Sequence, residues 1–156
     1  MPDPPAAGSR APAFALPSTE GDVSLDELLA AGDRVVLAFY AEDATPTCEN
    51  EIAMLKDAHE MLREFGARVV AISSDSIESH SAFAQRLGGV PFALASDAAL
   101  EMARAYGVID DGDPRRSRRA IFVIDRDGAV MLALPHFQPG NLSQVEAIFA
   151  ALGAEV

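Results

Sequence analysis

The sequence predicts an α/β sandwich, with a central mixed β-sheet flanked by helices. Three observations predict it. Apolar, β-branched runs alternate with amphipathic segments between residues 34 and 106, a late pair of apolar runs is joined by an Asp-Gly step, and an amphipathic stretch closes the chain. A length of 156 residues suits one domain, and 49% apolar with 23% charged residues is the composition of a chain that folds.

Each element has a local reason. Residues 1–9 form a Pro-, Ala- and Gly-rich segment expected to be a mobile arm, which leaves residues 10–156 as the folded domain, with regular structure starting near Ala11. "VSLDELL" reads as a short helix, and "RVVLAFY" (34–40) as a strand covered on both faces. In the long helix that follows, Ile52, Leu55, Ala58, His59, Leu62 and Phe65 share one face, and Gly66 stops it. "ARVVAISSD" (67–75) is a second buried strand. The next helix, "SIESHSAFAQRLGG", has Ser76 as its N-cap and ends at Gly88 and Gly89. "PFALASD" predicts a strand and "AALEMARAY" a helix. "RAIFVIDRDGAVMLALP" (119–135) predicts a hairpin turning at Asp127 and Gly128, and Asn141 and Gly153 cap the last helix.

Charge narrows the function. Twenty-four acidic residues against 12 basic ones give a net charge of -12, which repels phosphate backbones and anionic lipid, so neither nucleic acid nor membrane is an expected partner. The first residues lack the basic and apolar regions of a secretory leader, and no run approaches the ~20 apolar residues of a membrane helix. A cytoplasmic location is the expectation. The sequence has no phosphate-binding glycine motif and no metal-ligand spacing, so no cofactor or metal is expected. Of the histidines, His59 reads as a partly buried core residue, while His80 and His136 read as solvated. The stretch "DDGDPRRSRR" (110–119) reads as an exposed loop.

The one cysteine, Cys48, lies in "EDATPTCENE". Thr45 followed by Pro46 is a helix start, with the Thr45 hydroxyl able to accept from an amide of the first turn. Cys48 then falls in that turn, beyond the carboxyl end of a central strand, where amides point outward and the helix dipole biases a thiol towards thiolate. Glu49 and Glu51 oppose this, so a nearby cation is required. The apolar phase runs through Ile52 and Leu55, and Cys48 reads as a polar junction residue outside it. A reactive thiol is the better reading of that position. A lone cysteine forms no internal disulfide, CxxC pair or zinc cluster.

"FYAEDATPTCENE" resembles the active-site segment of the peroxiredoxin (AhpC/TSA-like) family, and its "TPxC" form resembles the bacterioferritin comigratory protein, or Q-type, branch. "FALPSTEGDVSLDELL", "FALASDAALEMARAYGV" and "RRAIFVIDRDG" are similar to further family segments, so the likeness runs from about Ala11 to Leu152. It implies a thioredoxin-like fold and an antioxidant activity, the thiol-dependent reduction of hydrogen peroxide or organic hydroperoxides. By the same resemblance Cys48 is the peroxidatic cysteine, Thr45 its hydroxyl neighbour, Arg119 the essential arginine that supplies the cation, and Glu51 the residue that orients the guanidinium.

Two departures stand out. Ala41 occupies the position of a family proline thought to shield the thiolate, and the resolving position of some Q-type members falls on Ala53. The likeness therefore narrows to a one-cysteine form, whose sulfenic acid is resolved by an external thiol: a low-molecular-weight thiol, or a glutaredoxin-like or thioredoxin-like protein. Monomer and homodimer are both open. The rival readings are a non-catalytic redox sensor or adaptor on the same fold, and a cysteine hydrolase with a histidine base.

Overall fold

The computed structural model describes residues 3–43 and 45–153. A short antiparallel hairpin, β1 (Ala15–Leu16) and β2 (Val23–Ser24), leads into α1 (Leu25–Ala30), whose start is capped by the Ser24 side chain accepting from the Glu27 N–H. β3 (Arg34–Phe39), α2 (Pro46–Glu64), β4 (Ala67–Ser73), α3 (Ile77–Arg86), β5 (Ala93–Ser96) and α4 (Glu101–Ala105) follow in alternation. The chain closes with β6 (Ala120–Ile124), β7 (Val130–Leu134) and α5 (Leu142–Ala151). The sheet order is β5-β4-β3-β6-β7, with β3, β4 and β5 parallel and β6 and β7 antiparallel to their neighbours. This is the mixed, helix-flanked sheet that the sequence predicts.

The central strands are apolar throughout because both faces are covered. From β3, Val35, Leu37 and Phe39 enter one core with Leu25, Leu28, Ala103, Tyr106 and Phe122, under α1 and α4. Val36, Ala38 and Tyr40 enter the other with Ile52, Leu55, Leu62, Phe83 and Ile148, under α2, α3 and α5. Ser76 and Asn141 cap α3 and α5 through their side chains, as read from the sequence. Gly128 turns the β6–β7 hairpin at φ 87°. The one lysine, Lys56 on α2, donates to the Leu87 carbonyl at the end of α3 and so ties these two helices together.

Two features differ from the sequence expectation. The segment expected to be an arm is anchored from Ala6 onward, since Gly8 N–H donates to the Val130 carbonyl, Val130 N–H donates back to Ser9, and Ser9 N–H donates to Ala6. The helix expected from Ala98 begins only at Glu101. Leu100 adopts the left-handed conformation (φ 58°), and the buried Asp97 carboxylate accepts from the N–H groups of Met102 (3.2 Å) and Ala103 (3.0 Å), which sets the start. Asp97→Ala leaves these amides unpaired and should cost about 1–2 kcal/mol of stability, measured by urea unfolding, with Asp97→Asn losing less.

Candidate active site

Beyond Phe39 the chain leaves the sheet at Tyr40 and turns into α2. Thr45 is extended (φ -79°, ψ 144°), the conformation demanded of a residue before proline, and Pro46 occupies the first turn of the helix. The first ladder bond runs from Glu49 N–H to the Thr45 carbonyl (2.8 Å), so the Thr47 and Cys48 amides lie ahead of the ladder. Thr45 is the N-cap residue, yet its side chain caps no amide; its hydroxyl donates instead to the Glu42 carbonyl (3.3 Å). The expected side-chain cap is therefore absent, because the hydroxyl turns back along the segment before the helix.

Cys48 is 1% exposed and packs in the same core as Ile52 and Leu55. The spacing of four and three places it on the inward stripe of α2, so it is a core residue and not the polar junction residue that its neighbours suggested. Its Sγ accepts a hydrogen bond from the Ala41 N–H at 3.4 Å. No histidine is bonded to it among the described residues.

The two carboxylates that opposed a thiolate are both accounted for. Glu49 points outward and pairs with Arg86 (3.4 Å). Glu51 is fully buried, and neither of its oxygens has a hydrogen-bond partner among the described residues. Burial pushes its carboxyl well above the usual range, the nearby Cys48 pushes it further, and the Arg119 guanidinium pulls it partly back. Glu51 thus sits in the electrostatic field of both residues with which the sequence grouped it. The expected orientation of Arg119 by Glu51 is not made through a direct hydrogen bond here.

Arg119 stands immediately before β6, and the register Phe39↔Ala120 brings it alongside Tyr40. The four arginines of "PRRSRR" have different tasks. Arg115 pairs with Asp113, and Arg116 with Asp113 and Glu42. Arg118 donates to three carbonyls, of Pro135, Ile109 and Gly107, at 2.8, 3.3 and 3.0 Å. Arg119 makes no ion pair among the described residues, and its buried Nε has no acceptor. It borders a recess of about 150 Å³ with His136, Phe137 and Gln138.

Sequence reasoning missed a neighbouring polar cluster. His80, expected to be solvated, is 0% exposed. Its Nδ1 lies 3.0 and 2.9 Å from the two oxygens of Asp43, and its Nε2 lies 3.0 Å from the Ala95 carbonyl. Nδ1 also lies 3.1 Å from the Tyr40 hydroxyl, so both ring nitrogens have hydrogen-bond partners. Asp43 also accepts from the Tyr40 hydroxyl (2.6 Å) and the Ser79 hydroxyl (2.7 Å), and its N–H donates to Asp75 (2.8 Å). Burial alone would raise the Asp43 carboxyl, but hydrogen bonds from His80, Tyr40 and Ser79 outweigh it and hold the group below its usual value. Asp43, Asp75 and His80 place potential ligand atoms within 4.8 Å of one another, but each already has protein partners, which argues against a metal role. The available sequence signal was helical phase, since His80 lies three residues before the buried Phe83.

The AhpC/TSA family description matches residues 7–133. The chain belongs to this family, the peroxiredoxins. It is 39% identical over 134 residues to the chloroplastic peroxiredoxin Q of Sedum lineare, covering 85% of this chain and 70% of the relative. A Coxiella burnetii chain named for the bcp peroxiredoxins is 34% identical over 145 residues, 88% of this chain and 94% of that one. Among solved structures, the peroxidoxin BcpB of Mycobacterium tuberculosis superposes with a TM-score of 0.82 at 29% identity, covering 95% of this chain and 96% of its own. The fold is accordingly the thioredoxin-like sandwich, and the chain is a thiol-dependent peroxidase.

Glu51 gives a pH test of the site. Its folded-state pKa is raised, so its contribution to stability is complete below the unfolded value of ~4.3 and is lost as pH rises through the folded one. Glu51→Gln, always neutral, should therefore gain stability relative to the parent between pH 4 and pH 8, read from urea midpoints. A constant gap would mean that the carboxyl titrates as in the unfolded chain.

Proposed function

We propose that the chain reduces hydrogen peroxide or small organic hydroperoxides by a one-cysteine cycle. The observation that carries this reading is the placement of its only cysteine, Cys48, in the first turn of α2, where it and Arg119, whose buried Nε has no acceptor among the described residues, both act on the buried Glu51. Thiolate sulfur attacks the terminal oxygen of the peroxide; the S–O bond forms as the O–O bond breaks, and the departing alkoxide or hydroxide takes up a proton to leave as alcohol or water. Arg119 supplies positive charge where that oxygen leaves, and the Cys48 amide and Thr45 hydroxyl hold the peroxide in line. Cys48 is left as a sulfenic acid. The sulfenic hydroxyl of Cys48 and the hydrogen of an incoming external thiol depart as water while a mixed disulfide forms, and a second thiol then frees Cys48. That external thiol is a low-molecular-weight thiol or the thiol of a glutaredoxin-like or thioredoxin-like protein.

Cys48→Ser should abolish turnover, and Arg119→Met should slow the oxidation of Cys48 by orders of magnitude in a stopped-flow assay. An arginine variant that reacts like the parent would show that the guanidinium is structural. Because the Thr45 hydroxyl caps no amide, Thr45→Val should change stability little while slowing the reaction, and Thr45→Ser should retain most of the rate. Intact mass after one equivalent of peroxide should show a single added oxygen that converts to an adduct when a small thiol is added. A dominant intermolecular Cys48 to Cys48 disulfide that is competent in turnover would instead make a second copy of the chain the resolving partner.

A further inference from the structure

The segment between β3 and α2 supplies the Ala41 N–H that touches sulfur, and what holds this segment in place is neither helix nor sheet. It is anchored through Asp43, which is gripped from three directions: by Tyr40 at the end of β3, by Ser79 and His80 on α3, and by Asp75 after β4. Of these partners His80 and Tyr40 are fully enclosed, and Ala95 on β5 fixes the far nitrogen of His80. The ring has no freedom to turn without leaving one of its nitrogens unpaired in the core, at a cost of the order of 1–3 kcal/mol. One residue, Glu42, separates Asp43 from Ala41, so a movement of the Asp43 anchor is passed to the amide on sulfur.

We propose that His80 is a positioning residue for Cys48, acting through Asp43 to keep the Ala41 N–H directed at Sγ. That N–H stabilises charge on the reacting sulfur and fixes its rotamer, so the buried His80–Asp43 pair sets the reactivity of a thiol that it does not touch. The proposal rests on Cys48 being the thiol that peroxide oxidises.

The test is the second-order rate of Cys48 oxidation by hydrogen peroxide in the full chain at pH 7, with folding checked by circular dichroism. His80→Leu removes both ring nitrogens at similar volume and should slow oxidation about tenfold, as expected for losing a hydrogen bond to a charged group. His80→Asn keeps a donor near the Nδ1 position and should recover much of that loss. Ala41→Pro deletes the amide proton and should slow the reaction comparably, whereas Ala41→Gly, which keeps it, should slow it less. In the Ala41→Pro background His80→Leu should cost little more, because both changes break one chain of contacts. A folded His80→Leu protein that reacts like the parent, or losses that multiply in the double variant, would overturn the proposal. If His80→Leu does not fold, Ser79→Ala decides, with about threefold slowing expected and none overturning the idea. A parent protein whose Cys48 is inert to peroxide would instead sink the peroxidase reading itself.

Discussion

The pairing of β3 with β6 is the constraint from which the candidate active site follows. Its register sets Phe39 opposite Ala120, so the segment leading to Cys48 and the residue preceding β6 leave the sheet at the same place. Cys48 and Arg119 are far apart in sequence, and this antiparallel ladder brings the segments that carry them to the same end of the sheet. A slip of one residue would turn Arg119 towards the opposite core, since strand side chains alternate between faces. The apolar continuity of both strands, 0% exposed from Val35 to Phe39 and from Ala120 to Ile124, holds that register against slippage.

Around this junction the protein tolerates local costs that it avoids elsewhere. Among the described residues, the buried side-chain atoms without partners are both oxygens of Glu51, Nε of Arg119 and, away from the site, Nδ1 of His59. Groups left unpaired in a core cost on the order of 1–3 kcal/mol each, so their concentration beside the one thiol sets stability against chemistry. Burial keeps Glu51 towards its neutral form and an ion pair occupies Glu49, so the carboxylates of the helix start do not add their full charge beside sulfur. The His80–Asp43 pair is of the opposite kind, fully bonded; such buried pairs add little net stability, and their value lies in fixing geometry.

Much of this was legible in the sequence. The apolar runs gave β3, β4 and β6 within a residue or two, Pro46 located the start of α2, and the Asp-Gly step located the hairpin. The "TPTC" segment and the arginine before the late strand pointed to Cys48, Thr45 and Arg119, and the structure places all three at one end of the sheet. The burial of Cys48 was hidden because its polar neighbours masked a helical phase that runs on to Ile52 and Leu55. Asp43 and His80 were hidden for a different reason: they meet only through the β3–α2–β4–α3 crossover, and neither local pattern nor composition encodes that contact. The start of α4 was placed three residues too early because it is set by the side chain of Asp97 and a left-handed Leu100, where propensity alone favours an earlier beginning.

Lysine is nearly absent from this surface, and guanidinium groups carry the positive charge, as Arg118 does with three backbone carbonyls that an ammonium group could not reach in the same directions. Apart from the α-amino group, Lys56 is the only amine in the sequence, and it bridges α2 to the end of α3. Amine-directed acylation or cross-linking would therefore report from a single side-chain position. That position lies between the helix that bears the thiol and the helix that bears His80, so a label there would read out the spacing of those two helices directly.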